Sequence, residues 1–382
     1  MYFLSRVIYN LFFHPLAKFP GPRSCAATCI PYIRAVITGA LAQRVDAWHK
    51  KHGPVVRISP NELSFTDEAA WKSIYGIRHC SGSARQNRKD LRIYPPPVAK
   101  APHILIADDE THARVRKLLA QPFSDASIRG QEGIIQKYVD LLMKRLREHS
   151  QDGNAVDMGV WYNFTIFDII GDLTFGEGFD CLEKSRYHSW VSRFFDSLKI
   201  ASYFNVARRV PGAMLFLRML VPAKIADNRR KHEEMTAAKV RYRLAQTNER
   251  PDFLSSVLKH EGTKKALSFD ELVSNASVLT IAGSETIATL LTGLTYYLLK
   301  NPRVQRKLEH EVRSAFKADA EITLETSSRL PYARAVIQEA LRMYPPIASG
   351  LPRIVGSGGE TIAGHHVPEG VSSASLFKRS WS

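Results

Sequence analysis

From residue 110 to residue 345, apolar side chains return every three or four positions, and this one pattern leaves few folds open. The segments 110–123, 128–150, 157–173, 185–203, 221–247 and 268–300 each carry it, so each is predicted as a helix with one apolar face. Asn301-Pro302 restarts a further helix with a cap and a proline in the first turn, and Leu330 to Met343 is another, closed by Pro345-Pro346. Length alone would allow two or three domains, and one large α-rich domain is equally permitted because no repeat and no Gly/Ser- or Pro-rich linker interrupts the series. The 382 residues, 45% of them hydrophobic, give ample apolar material for its core.

The flanks read differently. Residues 38–51 have helical spacing and stop at Gly53-Pro54. VVRISPNELSF places two β-rich runs around Pro60-Asn61, a predicted hairpin, and Asp67 then caps a helix through Trp71 towards Tyr75. Beyond residue 350 short strands return, with a second hairpin in TIAGHHVPEG. The fold class is therefore mainly α with small β-sheets (α+β). Residues 1–22 read as a partial membrane anchor and proline-rich hinge, 23–370 as the folded domain, and 371–382 as an aperiodic, Ser-rich, basic tail. MYFLSRVIYNLFF offers 13 largely apolar residues where a spanning helix needs about 20, so it suits an interface or the end of an anchor.

The formal net charge is +16, which calls for an acidic partner or surface. Lys and Arg are spread along helix-like segments without a nucleic-acid motif, so an anionic membrane face or an acidic electron-transfer partner fits at least as well as nucleic acid. Four cysteines, Cys25, Cys29, Cys80 and Cys181, are too few for a disulfide scaffold, and no second pair turns Cys25 and Cys29 into a zinc site.

The longest apolar segment contains LTIAGSETIATLL. Gly283 in mid-helix costs about 1 kcal/mol against alanine, which points to a close approach of another group or a local opening of the helix. Glu285 and Thr286 follow it, an acid beside a hydroxyl in oily surroundings, where a carboxylate is expensive unless partnered or functional. The bland alternative is a packing glycine with Thr286 bonded back to its own helix. Glu339 and Arg342 stand three apart on a helix, an ordinary surface spacing when taken alone. His112 and Arg116, four apart, share a helix face that suits a carboxylate or phosphate, and Arg353 in GLPRIV is a third basic candidate. The sequons at Asn163 and Asn275 fall within predicted helices and read as chance matches.

Taken in order, NLFFHPLAKFPGP, HGPVVRISPNELSF, HARVRKLLAQPFS, FDIIGDLTFG, AGSET and Glu-x-x-Arg followed by YPP and GLPR resemble the fungal microsomal cytochromes P-450. These are haem-thiolate monooxygenases, and the resemblance covers about residues 7 to 370. It implies that Glu285 and Thr286 are the acid–alcohol pair that relays protons, next to a helix opening at Gly283. It implies that Glu339 and Arg342 form a buried bracing pair, and that His112, Arg116 and Arg353 grip the haem propionates. It further implies a lipophilic small-molecule substrate, such as a secondary metabolite, and an NADPH-cytochrome reductase as partner. The expected location is the cytosolic face of the endoplasmic reticulum membrane, with GAMLFLRMLV (212–221) dipping into the lipid.

The resemblance also implies an axial cysteine in a loop Phe-x-x-Gly-x-Arg-x-Cys-x-Gly after the Glu-x-x-Arg helix. Residues 343–382 contain no cysteine. Gly76 to Gly82 around Cys80 copy most of that loop, but with Ser73 where phenylalanine belongs and ahead of the helices of the haem pocket, so they read as a decoy. His365 and His366 are expected in a solvated hairpin turn. Because the thiolate pushes electron density onto the iron, a chain truncated before it is expected to be inactive as a monooxygenase. The alternatives are a degenerate remnant and a non-catalytic helical binding or scaffold protein.

Overall fold

The structure is a computed structural model; it describes residues 1–80, 83–151, 153, 155–192, 203–210, 212–215, 223–246, 250–258 and 266–375. Two compact units divide the chain. The first combines Met1–Pro95, Asp196–Ile225 and Ile347–Ser382, and the second combines Pro96–Phe195 and Ala226–Pro346.

The first unit starts with α1 (Tyr2–Ile8), running into a π-helical turn at Tyr9–Phe13, then α2 (Arg23–Ala27), α3 (Ile30–Ile37) and α4 (Leu41–His52). Gly53, at φ +100°, ends α4 in a conformation open to glycine. The predicted hairpin follows as β1 (Val55–Ser59) and β2 (Glu62–Phe65), with Val55 opposite Phe65 and Ser59 opposite Glu62. Asp67 caps α5 (Glu68–Tyr75) by accepting from the Ala69 amide at 2.8 Å, as its position predicts. Then come β3 (Arg78–Cys80), β4 (Ser83–Arg85), β5 (Arg88–Lys89), β6 (Arg353–Ile354), β7 (Glu360–Ile362), β8 (His365–Val367) and β9 (Ser372–Ser375).

Five of these strands form one sheet in the order β1-β2-β9-β6-β5. The middle strand is β9, parallel to β2 and antiparallel to β6, drawn from a segment whose sequence shows no alternation. Its serines are buried, and the sheet ladder holds them without an apolar face to announce it. Gly350 lies against this strand so closely that a Cβ there would sit 2.0 Å from the Ser375 carbonyl oxygen. The hairpin predicted in TIAGHHVPEG is present as β7–β8, turning through Ala363 and Gly364, both at positive φ. His365 and His366 are therefore on strand β8 just past the turn, rather than in it. Arg57 is buried on β1 and donates to the Asn10 and Pro60 carbonyls; burial lowers its pKa to about 10.

The second unit is helical: α6 (Asp109–Ala120), α7 (Asp125–Gln151), α8 (Met158–Phe175), α9 (Cys181–Lys184), α10 (Ala223–Ala245, from Ala226 onward in this unit), α11 (Phe253–Leu258), α12 (Phe269–Lys300), α13 (Pro302–Ala315), α14 (Leu324–Ser328) and α15 (Pro331–Met343). Ser268 and Glu271 form a reciprocal capping box that starts α12, and Asp108 starts α6 through the Thr111 amide. Pro302 occupies the first turn of α13 as predicted, but Asn301 does not cap it; its amide donates back to the Tyr297 carbonyl at 2.8 Å. The helix predicted from residue 185 begins at 189 in its described part. The lipid-dipping segment predicted at 212–221 lies outside the described residues from 216 on.

The core of this unit is aromatic. Phe167, Phe175, Phe179, Trp190 and Leu182 are fully or almost fully buried, with Phe179 stacked on Trp190 at 5.0 Å. Asp168 on α8 accepts the amides of Phe179, Cys181 and Leu182 within 3.0 Å, fixing the chain's exit from that helix. By length and composition α12 is apolar enough to cross a membrane. However, it buries Ser274, Asn275, Ser277, Thr280 and Ser284, which marks it as a core helix of this unit.

Candidate functional site

α12 carries the candidate chemistry. It runs unbroken past Gly283, so the predicted helix opening is not found. The glycine has a packing reason instead: an added Cβ would stand 2.6 Å from Ile170 Cδ1 on α8. The hydroxyls near it are satisfied within the helix, Thr286 Oγ1 donating to the Ala282 carbonyl at 2.7 Å and Ser284 Oγ to the Thr280 carbonyl at 2.7 Å.

Glu285 is different. Its side chain is half-buried, and Oε1 is shut off from solvent with no hydrogen-bond partner among the described residues. Burial pushes this carboxyl above the usual carboxylate range. The phenol of Tyr187 is in turn pushed up, first by its own burial and then by the charge of Glu285, so the two groups are electrostatic neighbours. Tyr187 also packs edge-on to Phe164 of α8 at 4.9 Å. Nothing in the sequence pairs Tyr187 with Glu285. Equally unannounced, Ser274 and Asn275 hold a loop against α12: Ser274 Oγ donates to the Ala101 carbonyl at 2.8 Å, and Asn275 Oδ1 accepts the Ile104 amide at 2.9 Å. A signal was present in both cases, since polar residues on an oily helix need partners.

Glu339 and Arg342 do pair, Arg342 Nε and Nη2 meeting the two carboxylate oxygens at 2.7 and 2.5 Å. Arg342 holds the Glu339 carboxyl below its usual range. The pair expected to be buried is exposed, with 57% of the Glu339 side chain and 25% of the Arg342 side chain open to solvent. α13 buries no residue and α15 only Ala340. A cavity of about 440 Å³ opens beside Glu339, lined by Leu294, Tyr297, Val304, Tyr332, Val336 and Met343.

The basic candidates split between the units. His112 and Arg116 share α6, Arg116 exposed and the His112 amide bonded to the Asp108 carbonyl. Between them Arg114, which the sequence did not single out, pairs with Glu271 at the start of α12. Arg353, in the first unit, donates Nη1 to the Asn87 carbonyl at 3.1 Å and leaves a buried Nε without a partner, a donor suited to a carboxylate.

A thiolate for haem iron is harder to find. Burial raises Cys25 to about 11 and Cys181 to about 12, and it also raises Cys29, so these three stay thiols near neutrality. Cys80 is on β3, but its side chain lies outside the described residues. No cluster of His, Cys, Asp or Glu fit for a metal occurs among the described residues. The described side chains thus offer basic groups for an anionic cofactor but do not fit its axial position.

Comparison with known proteins now decides the family. The model of the family described as Cytochrome P450 matches residues 20–373. The chain is 43% identical over 375 residues to cytochrome P450 monooxygenase efuB of Hormonema carpetanum, covering 97% of this chain and 74% of the relative. It is 41% identical to averantin hydroxylase of Dothistroma septosporum (97% and 69% covered) and 42% identical to trichothecene C-15 hydroxylase of Fusarium sporotrichioides (96% and 74%). A family match along nearly all of the chain, with an acid–alcohol pair in its long core helix, means that this protein belongs to the cytochrome P450 family, whose cofactor is haem.

Proposed function

We propose that the chain serves a haem-dependent monooxygenase that oxidises a lipophilic small molecule of the fungal secondary-metabolite kind. Two of its relatives carry names for such hydroxylations, of averantin and at C-15 of trichothecenes. Electrons would come from an NADPH-cytochrome reductase at the cytosolic face of the endoplasmic reticulum, where the chain's net charge of +16 suits an acidic partner.

The observation that carries this reading is Glu285. A half-buried carboxyl with an unpartnered oxygen and a proton affinity raised by burial, in the middle of the main core helix, is placed to hold a proton more firmly than an ordinary carboxyl. Thr286 beside it donates to Ala282 and keeps its oxygen lone pairs as acceptors. Arg353, whose buried Nε has no partner among the described residues, would hold a carboxylate of the cofactor. Haem held by a thiolate supplies oxygen activation in this family, and Cys25, Cys29 and Cys181, the cysteines with described side chains, are held as thiols by burial.

The test joins this chain to the part of the averantin hydroxylase relative that lies outside the match, and follows haem retention and oxygen consumption with a flavoprotein reductase. The joined protein should retain haem and consume oxygen. Glu285→Gln or Thr286→Val should then slow turnover by roughly 100-fold, the scale of a lost general acid. Failure to retain haem, or unchanged rates in both variants, would overturn the reading.

A further inference from the structure

Met343 closes α15 with a side chain whose chemistry the substrate oxidation proposed above does not use, and this inference does not rest on that reading. The side chain is half-buried in the wall of the cavity of about 440 Å³. Its Sδ accepts from Arg342 Nη2 at 3.1 Å. The same nitrogen donates to Glu339 Oε1 at 2.5 Å, while Nε donates to Oε2 at 2.7 Å. One guanidinium nitrogen is thus divided between a carboxylate and a thioether. Thioether sulfur is a weak acceptor, so the carboxylate holds the arginine, and Arg342 keeps the Glu339 carboxyl below its usual range.

That balance depends on the oxidation state of the sulfur. Leu294, Val304 and Val336 line the same cavity and are inert to peroxides, so the thioether is the reactive group facing a space that admits a molecule as small as hydrogen peroxide. In the reaction a sulfur lone pair attacks one peroxide oxygen, the S–O bond forms and the O–O bond breaks. Two electrons pass from sulfur to the peroxide. The far oxygen leaves as hydroxide and takes the proton of the new S–OH group, giving a sulfoxide and water. A guanidinium beside the sulfur stabilises the charge that builds on the departing hydroxide. The sulfoxide oxygen is then a strong acceptor within reach of Nη2, where the thioether was a weak one.

We propose that Met343 is a site of reversible oxidation by peroxides, and that its sulfoxide draws the Arg342 guanidinium away from Glu339. The exchange replaces an ion pair along α15 by a contact at the helix end, and it sets a polar S–O group in an apolar wall. Met158, at the start of α8, and Met235, packed against the aromatic core, are also half-buried and serve as internal standards.

The experiment treats the full chain with limiting hydrogen peroxide and follows each methionine by peptide mass spectrometry. Met343 should gain oxygen about fivefold or more faster than Met158 and Met235. Arg342→Gln, which removes the donor, should slow Met343 by about threefold or more, and Glu339→Gln, which leaves Nη2 to the sulfur, should speed it. Both substitutions fall on an ion pair open to solvent, so the fold persists in each. Labelling of the Glu339 carboxyl by a carbodiimide and an amine reads the second half of the proposal. It should rise about threefold or more on oxidation and fall back after treatment with methionine sulfoxide reductase. Peroxide should leave that labelling unchanged in Met343→Leu. Oxidation of Met343 no faster than that of the two standards, an unchanged rate in Arg342→Gln, or Glu339 labelling that ignores the oxidation state would each overturn the proposal.

Discussion

Arg243 Nε and Asp252 Oδ2 lie 2.6 Å apart in the core of the second unit, with 2% and 0% of their side chains exposed. Asp252 also accepts the Ser255 amide through Oδ1, and Arg243 donates to Ser255 Oγ and to the Gln246 carbonyl. Arg250 adds a contact to Asp252 at 3.4 Å and pairs with Asp172 of α8, which also accepts from Tyr138 at 2.7 Å. The network fastens α10 and α11 to the end of α8 at the point where the aromatic core begins.

Asp252→Ala strands a buried guanidinium. Removing one partner of a buried pair costs about 3–5 kcal/mol, far more than the pair itself contributes over an apolar substitute. Denaturant unfolding should therefore show a loss of about 3 kcal/mol or more for Asp252→Ala. The double variant Arg243→Met with Asp252→Leu should recover most of it. A double variant as unstable as the single one would contradict this account of the network.

Gly283→Ala tests whether that glycine serves packing. Its Cβ would stand 2.6 Å from Ile170 Cδ1 and 3.1 Å from Cγ1. Overpacking of this kind costs about 1–3 kcal/mol, offset by the better helix propensity of alanine, so a net loss of about 1 kcal/mol is expected. Ile170→Val, which removes the nearest carbon, should rescue Gly283→Ala more than it helps the parent chain. Additive effects of the two changes, measured by a double-mutant cycle, would rule out the contact.

Glu285 should leave a pH signature. Its folded-state pKa is raised by burial, so between the ordinary carboxylate value and that raised value the folded state binds more protons than the unfolded one. The corresponding stability is fully present below the unfolded pKa and is lost as pH rises through the folded one. Glu285→Gln removes the group, so its thermal midpoint should exceed that of the parent at pH 7, with the gap closing as pH falls towards about 4. A gap that stays constant or widens at low pH would show that the carboxyl is not destabilised by burial.

The sequence announced much of this. The cap at Asp67, the proline at the start of α13 and the glycine ending α4 are local signals, readable because caps and φ angles act within a few residues. The acid–alcohol pair was legible because a carboxyl in an oily helix is conspicuous. What stayed hidden depends on distant partners. β9 has no apolar alternation to reveal it as the central strand, since its serines are held by ladder bonds and by Asp90. Tyr187 comes within electrostatic reach of Glu285 through tertiary packing, its ring lying against Phe164 of α8. The exposure of Glu339 and Arg342 depends on what packs over α15, which no i,i+3 spacing can state.

The most direct test of the central claim is the absorption spectrum of the haem-supplemented 382-residue chain, reduced and under carbon monoxide, beside Cys80→Ser. The account predicts no strongly red-shifted Soret band in either protein, because burial holds Cys25, Cys29 and Cys181 as thiols and no metal-fitting cluster occurs among the described residues. A red-shifted band in the parent chain would contradict it, and disappearance of that band in Cys80→Ser would name Cys80 as the ligand.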